Sequence, residues 1–138
     1  MAADEQKTVV RRYFEEYHNG RRGELAAQLL APELVEPTRR MTAAVRTAFP
    51  DYRIAIKAQL AEGELVSTVW TMRGRHQGEW ASPIGPIPPT GRTVEVTGTT
   101  TLRVAGQKIA EVIGTNWDHL GILQQLDAVA SVAPRSGA

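Results

Sequence analysis

A hairpin pattern covers residues 93–118, whose sequence is TVEVTGTTTLRVAGQKIAEVIGTNWD. Apolar and polar side chains alternate from Thr93 to Val104 and again from Lys108 to Asp118, a period typical of half-buried β-strands. The segment Ala105-Gly106-Gln107 lies between the two runs and predicts a turn. These residues therefore predict two antiparallel strands joined by a tight connection.

The same period of two occurs earlier in the chain, over Arg53–Ala61 and Glu64–Arg75, with a turn at Glu62-Gly63. Residues 76–92 follow, and they contain four prolines and three glycines. So many breakers predict a long loop without an element of its own, and such loops often form a rim or a lid. The second half of the chain thus predicts a meander of four strands interrupted by this loop.

The first fifty residues instead follow the 3.6-residue period of amphipathic helices. Asp4 is suited to cap the first helix and Pro32 to end the second. We predict helices over Glu5–His18, Leu25–Leu30 and Met41–Phe49, and a fourth over Leu120–Val132.

Helices followed by an antiparallel meander predict an α+β fold, in which helices close a curved sheet into a cone. We expect one domain over residues 1–132 and a frayed tail over residues 133–138. The interior of such a cone is suited to a small molecule, although the pattern alone leaves open whether it is empty.

Composition excludes several function classes. The 138 residues carry 16 Lys+Arg against 15 Asp+Glu, a net charge of +1, which does not suit binding to nucleic acid through phosphate neutralisation. The absence of cysteine excludes disulfides and thiolate chemistry and favours a cytoplasmic location. Apolar runs fall short of the roughly 20 residues of a membrane span, and Met1–Thr8 lacks an apolar signal core. We expect neither nucleic acid nor membrane as a partner.

Common catalytic motifs are missing from the sequence. It contains no Gly-x-Ser-x-Gly elbow, phosphate loop, dinucleotide fingerprint or His-Glu-x-x-His pair. His18, His76 and His119 belong to three different predicted elements, so we expect no metal and no cofactor. General acid/base catalysis by a carboxylate or a histidine remains.

Asp118 is the first candidate for this chemistry. The period of two places Asn116 and Asp118 on one face of the last strand and Trp117 on the other. If that face lines the interior, a buried carboxylate is suited to accept and return a proton, and Asn116 would orient it or the substrate. The alternative is that Asp118 is the N-cap of the following helix.

Other candidates have equally plain alternatives. His76 is a second acid/base candidate or a surface histidine. Thr101 and Arg103 lie on a polar strand face, which either contacts solvent or offers hydrogen bonds to a substrate. Four aromatic residues belong either to the core or to the wall of a substrate pocket, namely Phe14, Tyr17, Trp70 and Trp80.

Five segments resemble, in order and spacing, the SnoaL-like polyketide cyclase (ester cyclase) family. The resemblance extends from about Thr8 to Leu126. The segments are Ala48–Tyr52, Arg73–Gly78, Pro88–Arg92, Lys108–Glu111 and Trp117–Leu126.

This resemblance implies the cone of nuclear-transport-factor-2-like proteins and a ring closure by intramolecular aldol condensation of an aromatic polyketide ester, without metal or cofactor. It implies Asp118 as the acid/base residue, with Asn116 and Arg103 steadying oxygen charge, and a homodimer formed through the convex sheet face. Arg103 or Thr101 occupies a place where the family often has histidine. The stretch Glu111–Asp118 is one residue longer than the family pattern, which predicts a β-bulge.

The resemblance also implies alternatives to a cyclase, because related folds serve as cofactor-free hydroxylases, epoxide hydrolases and binding modules that carry out no reaction. In each case the expected ligand is a hydrophobic or aromatic small molecule.

Overall fold

Helices form the N-terminal third and the end of the described chain. The computed structural model describes residues 2–130. Its helices are α1 (Ala3–Arg12), which continues into a π-helical segment (Tyr13–Asn19), a 3-10 turn (Gly23–Leu25) that leads into α2 (Ala26–Leu29), α3 (Pro32–Ala48) and α4 (His119–Gln125).

Strands occupy the middle of the chain. They are β1 (Arg53–Glu62), β2 (Leu65–Arg75), β3 (Trp80–Ser82), β4 (Gly85–Ile87), β5 (Thr93–Ala105) and β6 (Lys108–Trp117). Four of them form a curved antiparallel sheet in the order β1-β2-β5-β6, and β3 pairs with β4 in a separate hairpin. The helices and the inner face of the larger sheet share one hydrophobic core. The predicted α+β fold is confirmed.

Helix boundaries differ from the prediction at three points. Asp4 is not the cap, because α1 begins one residue before it. α3 begins at Pro32 and not at Met41, since proline lacks the N–H that the first helical turn leaves unpaired. α4 ends at Gln125 and is shorter than predicted. The predicted C-terminal tail lies outside the described residues.

The segment between β2 and β5 contains an element, so the prediction of a loop without one is wrong. The hairpin β3-β4 turns through Pro83 and Ile84. Gly85 adopts a φ of +114°, and the Ser82 hydroxyl donates a hydrogen bond to its carbonyl oxygen. The turn residues that predicted an irregular loop instead connect two very short strands.

Two register shifts interrupt the pairing of β5 with β6, and the predicted bulge is confirmed. Thr101 pairs with Gly114 while Leu102 pairs with Val112, so Ile113 has no partner. An extra residue in a strand reverses the faces that the following residues present. A second extra residue, Ala110, comes before it, because Val104 pairs with Ile109 and Arg103 with Glu111. The two reversals cancel, so Thr115 and Trp117 face the same side of the sheet as the buried Ile109.

Candidate functional site

The helices and the inner face of the sheet enclose a cavity of about 400 Å³, a size typical of small-molecule sites. Its walls are mainly aromatic and aliphatic, and none of the described residues that line it is an aspartate, glutamate, lysine or arginine. Lining residues from the helices include Tyr13, Phe14, His18, Pro37, Met41 and Val45, and those from the sheet include Trp70, Met72, Thr100, Leu102, Thr115 and Trp117. The cavity therefore suits an uncharged, apolar ligand.

His18 is the titratable imidazole of this cavity. The π-helical segment turns both Phe14 and His18 toward the interior, and π-helical turns occur often at functional sites. His18 is 4% exposed, and its Nδ1 lies 2.8 Å from the hydroxyl of Tyr52. Its Nε2 has no hydrogen-bond partner among residues 2–130 and is not sealed inside the protein. This nitrogen is thus available to a ligand.

Burial keeps His18 neutral. It lowers the pKa of the imidazole to about 3, and the positive charges of Arg46 and Arg21 lower it further in the same direction. The Arg21 guanidinium lies 4.1 Å above the centre of the Tyr52 ring and donates hydrogen bonds to the carbonyl oxygens of His18 and Tyr52. Burial also raises the pKa of Tyr52. At ordinary pH the pair is an uncharged hydrogen-bonded unit beside two cations.

Trp70 forms a second polar contact in the wall. Its Nε1 donates a hydrogen bond of 2.9 Å to the hydroxyl of Thr100. Gly98 on β5 makes room for the indole, because an added Cβ would lie 2.5 Å from the ring. The Thr115 hydroxyl donates in turn to Thr100 at 3.4 Å. These groups satisfy one another and leave the cavity wall largely apolar.

Asp118 and Asn116 do not face this cavity, so the prediction that they line the interior is wrong. Both are exposed. The Asp118 carboxylate accepts a 2.7 Å hydrogen bond from the backbone N–H of Gly121 and caps α4, which is the alternative that the sequence left open. The error lies in the choice of the buried face, because Trp117 and Thr115 turn inward with Ile109 and leave Asn116 outside.

Thr101 and Arg103 lie on the outer face of the sheet, so their prediction as interior contacts is also wrong. Arg103 lies between two carboxylates, 3.6 Å from Glu64 and 3.8 Å from Glu111. Thr101 donates a hydrogen bond to Ser67 across the strands. The polar row on β5 has the ordinary solvent-facing role.

His76 is buried and does not line this cavity. Its Nδ1 accepts a hydrogen bond from the backbone N–H of Thr90 and contacts the Thr90 hydroxyl, while its ring packs against Phe49. Burial lowers its pKa. This geometry makes His76 an anchor of the segment between β2 and β5.

The predicted aromatic residues divide into three groups. Phe14 and Trp70 line the cavity. Trp80 lies in a groove beside it, between Phe49 and His119. Tyr17 does not line the cavity but lies behind its wall, where it stacks on Tyr13 and bonds to Thr42. Tyr17 belongs to the core.

The pairing of His18 with Tyr52 is absent from the sequence prediction. His18 follows an aromatic stripe in the first helix, and Tyr52 lies in the segment Ala48–Tyr52 that carries part of the family resemblance. Their separation of 34 positions means that only the tertiary fold reveals the contact. The sequence signal that could have indicated this site is the aromatic stripe of the first helix, which ends in His18.

Within residues 2–130, no cluster of three or more histidine or carboxylate side chains is arranged to hold a metal ion. None of the helices in this range has the length and apolar character to span a membrane.

A cone of helices and antiparallel strands around an apolar cavity defines the class of nuclear-transport-factor-2-like proteins. The model of the SnoaL-like polyketide cyclase family matches residues 5–126, and the chain belongs to this family. Among curated proteins, no sequence relative matches the chain.

Solved structures agree with this assignment of the fold. A candidate SnoaL-like polyketide cyclase from Jannaschia sp. CCS1 has a TM-score of 0.80 at 18% identity, with 92% of this chain and 94% of that one covered. AclR, a candidate hydroxylase from Streptomyces galilaeus, has a TM-score of 0.81 at 20% identity, with coverages of 96% and 87%. IdmH, a candidate polyketide cyclase from Streptomyces antibioticus, has a TM-score of 0.76 at 25% identity, with coverages of 88% and 98%.

Proposed function

We propose that this protein binds an enolisable aromatic carbonyl compound of polyketide type and closes a ring in it without a cofactor. The observation that carries this proposal is the neutral His18 at the wall of an apolar cavity, with Nδ1 held by Tyr52 and Nε2 open to a ligand. Family membership and the likeness to IdmH support a cyclase. Polyketide-type secondary metabolism is the corresponding biological setting.

The tautomer of His18 follows from its neighbours. Arg46 lies beside the phenol of Tyr52 and favours its oxygen as a hydrogen-bond acceptor. The phenol hydrogen is then directed to His18 Nδ1, which leaves the hydrogen of the neutral imidazole on Nε2. A neutral imidazole donor of this kind can polarise a carbonyl group without adding a charge to the cavity.

The proposed reaction conserves all atoms. An enol carbon of the substrate attacks a carbonyl carbon of the same molecule, a carbon–carbon bond forms, and the enol hydroxyl becomes a carbonyl group. Its proton ends on the new hydroxyl, so the first product is an isomer of the substrate. His18 Nε2–H would stabilise the negative charge that grows on the attacked oxygen, and the apolar walls would hold the chain folded for closure.

An aspartate shuttle is not part of this mechanism, because Asp118 is committed to capping α4 outside the cavity. Whether its carboxylate transfers protons stays a prediction from the sequence. No general base is assigned among the cavity residues, since the pKa of His18 is too low for a strong base and burial raises the pKa of Tyr13 and Tyr52. The substrate must therefore enolise readily by itself, as β-dicarbonyl compounds do.

The test uses 1-phenylhexane-1,3,5-trione, an enolisable aryl triketone. We expect it to quench Trp70 and Trp117, which line the cavity, and to give a cyclic isomer or its dehydration product in mass spectra. A matched pair of variants locates the reaction: Val112→Trp fills the cavity from an exposed position, while Ile113→Trp adds the same bulk one residue away, outside it.

Each outcome of this test has a distinct meaning. Loss of quenching and turnover in Val112→Trp alone supports the proposal. A product that gains one oxygen atom would favour the hydroxylase suggested by the likeness to AclR, and quenching without any product would favour a binding module. Equal behaviour of the two variants would refute the cavity as the site.

We infer further that the protein forms a homodimer through the outer face of the sheet. The centre of this face carries uncharged side chains such as Val69, Thr71 and Thr99, and charged pairs such as Arg73 with Glu95 lie toward its edge. Light scattering should then give twice the mass of the 15.1 kDa chain, and a monomer mass at micromolar concentration would contradict this inference. A cytoplasmic location likewise remains a prediction.

A further inference from the structure

A pocket of about 370 Å³ lies between α3 and the end of the first helix, on the far side of Tyr17 from the cavity. We call it the arginine pocket. The residues that line it are Tyr17, Gly23, Arg39, Thr42, Ala43 and Arg46. None of them lines the cavity, so a ligand bound here contacts none of the side chains proposed to bind the substrate of the ring closure.

The charge of the arginine pocket comes from two guanidinium groups. Arg39 and Arg46 lie seven positions apart on α3, which places them on one face with two helical turns, about 10 Å, between their Cα atoms. Ala43 lies between them with a short, exposed side chain. None of the described residues that line the pocket carries a carboxylate. The pocket therefore favours an anion.

Arg46 has hydrogen-bonding capacity that the described chain leaves unused. Its side chain is half-buried, and its hydrogen bond from Nη2 to the carbonyl oxygen of Tyr17 is long, at 3.5 Å. Its Nε is buried without a partner, and the guanidinium forms no salt bridge with a carboxylate of residues 2–130. A partly buried charge without a counterion is unfavourable, and a buried polar group without a partner often marks a bound ion.

The other polar groups of the pocket differ in what they offer to a ligand. The Thr42 hydroxyl donates to the carbonyl oxygen of Thr38 and therefore accepts from Tyr17, so neither hydroxyl has a hydrogen left for a ligand. Arg39 is about half exposed, and its nearest contact with Glu36 is 4.0 Å, beyond hydrogen-bond distance. The side-chain donors available to a ligand are thus the N–H groups of two arginines.

From this arrangement we infer that the arginine pocket binds a phosphate group, as free phosphate or as a phosphate monoester. Its oxygens would accept hydrogen bonds from Arg39 on the exposed side and from Arg46 on the buried side. A phosphate group carries a charge of about −1.5 to −2 near pH 7 and has at least three acceptor oxygens, which suits two guanidinium groups better than a single carboxylate does. The inference does not rest on the proposed function, because the two sites share no lining residue.

Calorimetric titration of the full chain with inorganic phosphate near pH 7 tests the site, with NaCl adjusted to keep the ionic strength constant. We expect a Kd of about 1 mM. Arg39→Gln removes one of the two guanidinium groups and should weaken binding about fivefold or more. The matched control is Arg40→Gln, which changes the net charge equally at an exposed position of α3 outside the pocket. It should change the Kd less than about twofold.

A second pair of variants adds a counterion to the protein itself. Ala43→Glu places a carboxylate four residues after Arg39 and three before Arg46, within reach of both on the surface of α3. This carboxylate would take the place of the ligand, so phosphate binding should be lost. Ala44→Glu adds the same charge at an exposed position outside the pocket and should change the Kd less than about twofold.

Two further probes define the ligand. Phenyl phosphate that binds at least as tightly as inorganic phosphate would identify a monoester, and weaker binding would identify free phosphate. Acetate should bind about fivefold more weakly than phosphate or worse, because it has a single charge and two oxygens. Equal binding of acetate would overturn the phosphate site. Equal effects within either matched pair, or no binding to the wild-type chain at about 20 mM phosphate, would also overturn it.

Discussion

The outer face of the four-stranded sheet and the cavity on its inner side contain contrasting polar groups. On the outer face, Arg103 and Thr101 are fully engaged with neighbours on adjacent strands or loops. On the inner side, His18 Nε2 faces a cavity without a partner among the described residues. A polar group without a partner in an apolar cavity is able to bind and polarise a ligand. The free imidazole nitrogen of His18 is therefore a stronger candidate for a functional group than the paired charges on the outer face.

This contrast also separates two buried histidines. Burial lowers the pKa of both, and each bonds to a hydroxyl group through Nδ1. The second nitrogen of His76 is sealed in the protein, whereas that of His18 lies at the cavity. Burial of a histidine thus does not identify a functional group, and the surroundings of its second nitrogen do.

The largest expected effect comes from removing the Nε2–H group of His18, the proposed hydrogen-bond donor at the cavity. His18→Phe keeps the ring volume and loses Nε2–H, so turnover of the triketone should fall about 100-fold with little change in KM, as for loss of an oxyanion donor. Steady-state kinetics measure this. Tyr52→Phe should have a smaller effect of the same kind. It removes the hydroxyl that fixes the tautomer of His18, but the imidazole itself remains.

Two further measurements distinguish a loss of catalysis from a loss of folding or of substrate binding. Thermal unfolding of His18→Phe establishes that the variant is folded at the assay temperature, and binding of the triketone should persist. If KM rises while kcat stays constant, His18 contributes only to binding, and the contrast between the two faces loses its catalytic meaning.

The sequence specified the fold better than the site, for physical reasons. Alternation identified the four strands of the larger sheet, because burial along a strand such as β2 repeats every two residues. Alternation places Asn116 opposite Trp117 but does not determine which of the two faces is buried, and the structure turns Trp117 inward. His18 and Tyr52 meet only through the tertiary fold.

An effect of intermediate size is expected on the free energy of unfolding at acid pH, because of the buried His18. The folded pKa of His18, about 3, lies below the unfolded value of 6.5, so the unfolded chain binds more protons between these values. Stability is complete above pH 6.5 and should fall by up to about 1.4 kcal/mol per pH unit as the pH decreases toward 3. His76 acts in the same direction, since burial lowers its pKa as well.

Urea unfolding at several pH values between 7 and 4 measures this dependence. His18→Phe removes one of the two groups, so its free energy of unfolding should vary less steeply with pH than that of the wild-type chain. Parallel curves for the two proteins would mean that His18 is not held neutral by burial.

The smallest expected effect is at the outer carboxylate. Asp118→Ala removes the hydrogen bond to Gly121 and should cost about 1 kcal/mol of stability, as loss of a helix N-cap does, while Asp118→Asn should cost less because an amide oxygen still accepts. Neither should change the turnover of folded protein, because the carboxylate lies outside the cavity. Unfolding and kinetic measurements on both variants separate the two roles. A 100-fold loss of turnover in Asp118→Asn, with stability retained, would restore the aspartate as the proton shuttle and reverse the ranking of the two faces.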